Sequence, residues 1–400
     1  MIHIRLKIIA IVMISLGLAS CNRTAKSKEP NSPVVLQSNA NLGVYGGIFS
    51  ISEVEIVGQN DGIWTSFWNN DMTLIGYKDK NGIVKIEPRF GTFTIANKFD
   101  NIIAVAEYIN EKWNSYYLTK SGKIVGRDSM HIFDNGFDCE SEGFIRFRDG
   151  KTDKAGMFNR NGSIVIPADY NDLTRVRNGM IIALKGAKRK YWDKSREQWS
   201  WVGGQTVLID TLNNVLIGNF TYDSYLNFFS LEKTENPHLD TIRKSFLAMD
   251  GTYYSFIDFE KEFKQWLAND LFFNLTIETL TNASYDTITW SSAEKNWTKS
   301  SRQQFIIDNF EVLKSGLFEI QAPDSEYSIS VDGLHSFMCE RVEFEKYFDN
   351  CGNAKEWIFP VMNVIKRSKK NSTQNWYEFL RTDNGYKLIS VTIRDKKIKY

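Results

Sequence analysis

Between residues 44 and 229 apolar and polar positions alternate in short runs, the two-residue period of strands with one buried face. Turn pairs punctuate the runs. Asn81-Gly82 and Asn161-Gly162 tolerate the positive φ that a tight hairpin demands, and Ser121-Gly122 is a weaker version. The glycines stand at 82, 122 and 162, so both intervals (122 − 82 and 162 − 122) are 40 residues. A unit of one length laid down in tandem follows from that spacing. Tyr77, Tyr117 and Met157 stand five before the three glycines, and Lys80, Lys120 and Arg160 two before them. β-Branched or apolar runs follow each turn: Ile83 to Ile86, Lys123 to Val125 and Ser163 to Ile166. A fourth, worn copy runs from Val207 to Ile217, with Asn213-Asn214 in place of the glycine pair.

The period changes after Asn236-Pro237. Phe256, Phe259, Phe263, Trp266, Leu267 and Leu271 recur at three- and four-residue steps, the stripe of a helix. A second helix is expected from the capping-box arrangement Ser301 to Gln304 until about Gly316. Strands are expected at Asn274 to Thr281, Asp286 to Trp290, Gly316 to Gln321, Tyr327 to Val331, Trp357 to Ile365, Asn375 to Thr382 and Gly385 to Arg394, the last two meeting at Asn384-Gly385. The pattern predicts a mainly β repeat array of tandem β-hairpin units of about 40 residues over 42–235. An α+β domain with a curved antiparallel sheet should follow over 241–400.

Between the hairpins an anchor, a polar turn and an apolar strand recur, as in Phe99 to Val105 and Arg177 to Leu184. With the turns, this resembles the WG-repeat family from about Val44 to Phe229. The chain departs from that family in having Ile75-Gly76 and Ala155-Gly156, and no glycine before Tyr116-Tyr117. The second half, ending in the aromatic-rich strand Trp376 to Thr382 and its partner Gly385 to Ile393, is similar to the cone fold of the nuclear transport factor superfamily. That resemblance implies a concave pocket, an enzyme site in some members and a binding or packing surface in many.

Residues 1–20 read as a lipoprotein signal peptide: His3, Arg5 and Lys7 precede an apolar run, Ile8 to Leu18, too short to span a bilayer. Leu18-Ala19-Ser20-Cys21 looks like a bacterial lipobox, which implies lipid on Cys21 and an anchored place in the cell envelope, with the outer membrane expected because no Asp follows the cysteine. A plain signal peptide with an incidental cysteine is the alternative. Residues 21–41, rich in Lys, Ser, Asn and Pro, read as a flexible tether.

Lys plus Arg number 49 against 48 Asp plus Glu, so charge gives no reason to expect nucleic acid. Besides Cys21 there are Cys139, Cys339 and Cys351. Cys339 and Cys351, near each other in sequence, could close a disulfide, or all three could be buried thiols. His131, His238 and His335 are scattered and no CxxC or HExxH occurs, so neither a metal nor a cofactor is expected.

One insertion, Lys188 to Trp201, mixes basic and aromatic residues. Arg189, Tyr191, Trp192, Arg196, Trp199 and Trp201 could grip an envelope protein or glycan, or form a long hairpin covering a sheet end. Carboxylates and imidazoles that could serve a pocket in the second half are Asp286, Glu319, His335, Glu340 and Glu378, none in a recognisable pair. The spacings Ser230 to Lys233 and Ser292 to Lys295 lack the companion motifs of penicillin-recognising enzymes, and no GxSxG, P-loop or dinucleotide fingerprint occurs. Two readings stand: a non-catalytic binding lipoprotein that works through its repeats, which the missing constellation favours, and an enzyme or small-ligand binder with its pocket in the second half.

Overall fold

The computed structural model describes residues 62–399 apart from 134–135, 193, 195–197, 222, 322–325, 337–341 and 368–372. The signal, lipobox and tether expected at 1–41 lie outside the described residues. All described residues belong to one compact unit, and their structure is mostly antiparallel β.

Short meanders follow one another along the chain. Strands Trp64–Trp68, Ile75–Lys78 and Val84–Phe90 share one sheet with Ile102–Ile109, Lys112–Thr119 and Ile124–Val125. Phe144–Arg148, Ala155–Asn159 and Ile164–Tyr170 form the next sheet, and Met180–Lys185, Gln205–Asp210 and Val215–Ile217 most of the one after. Gly82, Gly122 and Gly162 all lie at hairpin turns with φ of 82°, 85° and 68°, and Asn213 replaces them in the fourth turn at 67°. In each, that residue's N–H donates to the carbonyl three positions back, on Asp79, Thr119, Asn159 or Asp210, at 2.9 to 3.1 Å.

The side chain that begins each turn explains why it forms. Asp79 Oδ1 accepts from the N–H groups of Asn81 and Ile83, Asn159 Oδ1 from Asn161 and Ser163, and Asp210 Oδ1 from Leu212 and Asn214, all at 2.8 to 3.0 Å. Thr119 Oγ1 accepts from the N–H of Lys123 at 3.1 Å and shares a hydrogen bond with the Ser121 hydroxyl at 2.9 Å. An Asx or Thr side chain thus stands in for a backbone acceptor and holds the reversal closed.

The expected boundary near 235–241 falls inside a sheet. Leu226–Thr234 and Arg243–Leu247 both pair with Tyr253–Asp258, which leads directly into the first helix. Phe256 therefore belongs to a strand, and the helical stripe begins only at Phe259. Helix α1 (Phe259–Trp266) is capped by Asp258, whose carboxylate accepts from the N–H groups of Glu260 and Lys261. Helix α2 (Ile277–Asn282) stands where a strand was expected at Asn274 to Thr281: Thr276 caps it, and that local cap outweighs the β-branched composition. Helix α3 (Arg302–Phe318), capped by Ser301, continues through Gly316 and passes into a 3-10 turn, Glu319–Gln321, so the strand expected at Gly316 to Gln321 is helical.

A six-stranded curled sheet completes the molecule, ordered Thr298–Ser301, Ser284–Ser292, Gly385–Ile393, Gln374–Thr382, Val361–Arg367 and Tyr327–Asp332. It is antiparallel except where Ser284–Ser292 runs parallel to Gly385–Ile393. Phe263, Leu313 and Leu317 from the helices pack on Met362, Tyr377, Phe379 and Val391 of the sheet.

Candidate functional site

The N-terminal half carries an apolar groove open to solvent. Ile102–Ile109 and Lys112–Thr119 form an eight-on-eight hairpin, reversing at Asn110 and Glu111, both at positive φ. Its neighbours Phe144–Arg148 and Ala155–Asn159 have only five residues each. The lower part of the hairpin is covered as far as Ala106, with Ile102, Ala104, Ala106 and Tyr117 packed with Phe137, Ile145, Phe147 and Phe158. Beyond that the hairpin overhangs. Ala106 lies opposite Ser115, and Tyr108 opposite Trp113, so the two-residue period puts them on the same face as Ala104 and Tyr117.

The overhang, together with Phe93, Ile132 and Phe137, encloses about 370 Å³. Phe93 and Phe137 stack at 6.0 Å between ring centroids, and Tyr108 packs on Trp113 at 5.4 Å. Phe93, Tyr108, Trp113 and Ile132 are each 51 to 60 % exposed, which in a chain with fully buried rings such as Trp64 and Tyr77 marks a surface kept open. Sequence reasoning missed this groove. Its only signal was the pair of rings flanking the Asn110-Glu111 turn, and exposure was not legible because it depends on the length of a neighbouring hairpin.

The insertion forms the hairpin Lys188–Tyr191 and Trp199–Val202. Arg189 lies 4.0 Å from the ring of Trp199 and 5.4 Å from that of Trp201, and its guanidinium pairs with Asp153 at 2.6 Å. Three of the residues expected to grip a partner therefore engage one another. Trp192 donates its indole N–H to Ser200 Oγ at 3.1 Å and leaves its ring 70 % exposed, while Tyr191 is exposed and Arg196 lies outside the described residues.

A chain of opposite charges links the N-terminal half to the C-terminal segment. Asp138 is buried and takes the guanidinium of Arg146 at 2.6 Å and that of Arg175 at 3.0 Å; Arg175 reaches on to Asp349 at 2.9 Å. Burial alone pushes the Asp138 carboxyl up, yet the two guanidiniums prevail and hold it far below the usual carboxylate range.

Neither a disulfide between Cys339 and Cys351 nor free thiols at Cys139 and Cys351 are found. Cys351 is bonded to Cys139 instead, and Cys339 lies outside the described residues. The physical reason is a turn of the same design as the hairpin turns at Asp79, Asn159 and Asp210: Asp349 Oδ1 accepts from the N–H groups of Cys351 and Asn353 at 2.9 Å, with Gly352 at φ 79°. That turn docks on the first half through the Asn350 carbonyl, which accepts from Asn97 and Lys98, and so delivers Cys351 to Cys139. Asp349 lies beside the two sulfurs, but these are bonded to each other, which leaves no thiolate pair for a metal.

Of the candidate groups in the second half, Asp286 is exposed beside Arg302, Glu319 pairs with Lys366 and Lys396, and His335 is exposed. Glu340 lies outside the described residues. Glu378 is buried on the sheet face away from the helices, where desolvation raises its carboxyl above the ordinary value and the Ser390 hydroxyl and nearby His335 offset part of that rise. The helix-covered face is filled by Phe263, Leu317, Tyr377 and Phe379. No helix among the described residues is long and apolar enough to cross a membrane. No family model, curated protein or solved structure matches the chain.

Proposed function

We propose that this chain is a membrane-anchored bacterial envelope lipoprotein of the WG-repeat type, non-catalytic, which binds a protein or glycan of the envelope through its repeat surface. The observation that carries the reading is the groove of Phe93, Trp113, Ile132 and Phe137, where large rings stay exposed beside a packed core. Covering such surface releases about 25 cal/mol per Å², so a partner that fills the groove gains affinity from shape and apolar contact alone. The like turns at Gly82, Gly122 and Gly162 support a tandem array of units of about 40 residues, as their equal spacing does. The filled helix-covered face of the C-terminal sheet supports a packing role for that side of the cone.

Co-sedimentation with isolated cell-wall glycan, and capture from detergent-solubilised envelope protein, test the reading with Trp113→Ala and Phe93→Ala as the groove variants. Loss of binding to either material in both variants is expected. Full binding by both variants would sink the groove as the contact surface. Mass spectrometry of the mature N-terminus tests the anchor, with lipid on Cys21 expected.

A further inference from the structure

We propose that a second cavity, of about 410 Å³ between helix α1 and the closing hairpin of the C-terminal sheet, binds the ring of a neutral sugar with Trp266 as its platform. This site is separate from the repeat groove and uses none of its residues.

The local backbone shapes the cavity. After Trp266 the α-helix widens into a π-helical turn, Leu267–Leu271, a feature frequent at functional sites because it re-aims side chains that a regular helix would stagger. Asn269 and Asp270 of that turn line the rim beside Gln265 of helix α1, and Asp383 lines it from the hairpin opposite. Trp266 is held in place from behind: its ring stacks on Phe263 at 5.8 Å and leans on Tyr386 at 5.4 Å and Phe379 at 5.6 Å. At the hairpin, Gly385 has φ 84°, and a Cβ there would lie 3.5 Å from the indole nitrogen of Trp266. The positive φ favours glycine there, and the turn sits close against the N–H edge of the ring.

The chemistry of the lining selects the ligand class. Glu262 and Arg381 are both at the cavity, but they neutralise each other in a two-point pair at 2.8 and 3.0 Å, and Tyr386 donates its hydroxyl to the same carboxylate. Asp383 is paired with Lys346. Asp270 pairs with no cation among the described residues, so the cavity disfavours an anion. A quaternary ammonium would need a second open ring, yet Tyr386 is 3 % exposed and Phe263 and Phe379 are fully buried, which leaves the half-buried Trp266 as the single ring that borders the cavity with part of its surface exposed. One aromatic face bordered by planar amide and carboxylate groups matches a pyranose, whose C–H face packs on the indole while its hydroxyls bond to the rim.

The test uses the full chain, with cellobiose, maltose and N,N′-diacetylchitobiose as probes and choline as the counter-probe, read by calorimetry and tryptophan fluorescence. Saturable binding of at least one disaccharide is expected, weakened about tenfold by Asn269→Ala or Asp270→Ala, both exposed and outside the core. Trp266→Phe retains a smaller platform and should weaken the same binding, which keeps the test valid if Trp266→Ala does not fold. Trp113→Ala should leave it unchanged, separating this site from the groove. The proposal is overturned if no disaccharide binds, if binding is indifferent to Asp270 and Trp266, or if choline binds in preference.

Discussion

Cys139 and Cys351 are joined by a disulfide although 212 residues separate them in sequence. The bond ties the connector between the second and third meanders to a turn in the C-terminal segment. Around it the Asn350 carbonyl takes the N–H groups of Asn97 and Lys98, and Arg175 spans from Asp138 to Asp349. The two halves are thereby one mechanical piece, and a C-terminal fragment beginning near residue 241 would lose strand Leu226–Thr234, the disulfide and that ion network together.

The first prediction concerns that link. Closing so long a loop restricts the unfolded chain strongly, by about 5 kcal/mol in the chain-entropy account. Cys139→Ala with Cys351→Ala should lower the urea midpoint markedly, and reductant should do the same to the native protein but not to the double variant. Equal midpoints with and without reductant would remove the disulfide from the folded state.

The turns give a second prediction. Gly82 has open space around it, so Gly82→Ala should cost only the left-handed backbone penalty, about 1 to 2 kcal/mol. At Gly162 a Cβ would also press on Val125 and Thr119, at 3.0 and 3.1 Å, and Gly162→Ala should cost more. Denaturant unfolding of the two variants side by side measures the order, and the reverse order would contradict the turn geometry.

These turns are legible in the sequence because Asn-Gly chemistry is local, and so is helix α3, whose cap Ser301 sits in sequence beside the helix it starts. Asn274 to Thr281 misleads because its β-branched content reads as strand, while a single cap at Thr276 decides the matter. The link between Cys139 and Cys351 is not legible at all. It needs Asp349 to fold a turn and Asn97 to receive it, and neither event leaves a mark at the cysteines. The cavity at Trp266 is hidden for a related reason: its ring belongs to an apolar stripe, as the spacing says, but one edge of that stripe outruns the core.

Acidity should act oppositely on two buried carboxylates. Asp138 has its folded pKa depressed, so its contribution is present above the unfolded value near 4 and is lost as pH falls toward the folded value. Glu378 has its folded pKa raised, so its contribution is fully present below the unfolded value and is lost as pH rises through the folded one. Asp138→Asn should therefore destabilise most at neutral pH, by about 3 to 5 kcal/mol because it strands the buried charge of Arg146, and should flatten the acid limb of the stability profile. Glu378→Gln should stabilise at neutral pH and lose that advantage on acidification. Thermal unfolding across pH for both variants checks the signs, and parallel profiles would defeat the assignment.

The last prediction is a pairwise one inside the C-terminal core. Tyr377 is fully buried, and its hydroxyl, which has no hydrogen-bond partner among the described residues, points at Gly316 of helix α3. A Cβ at Gly316 would fall inside van der Waals contact of that hydroxyl, so glycine is retained mid-helix despite a cost of about 1 kcal/mol relative to alanine in propensity. Gly316→Ala alone should destabilise strongly through overpacking. Tyr377→Phe alone should be neutral or stabilising, since it deletes a polar atom whose unpaired burial costs about 1 to 3 kcal/mol. Combined, the two should be more stable than Gly316→Ala alone, because the deleted oxygen is the atom nearest the new methyl group and alanine then favours the helix. Urea unfolding of the four proteins in the cycle measures the coupling. Strict additivity would mean that the hydroxyl does not touch the helix, and the packing of α3 on the sheet would have to differ from that described.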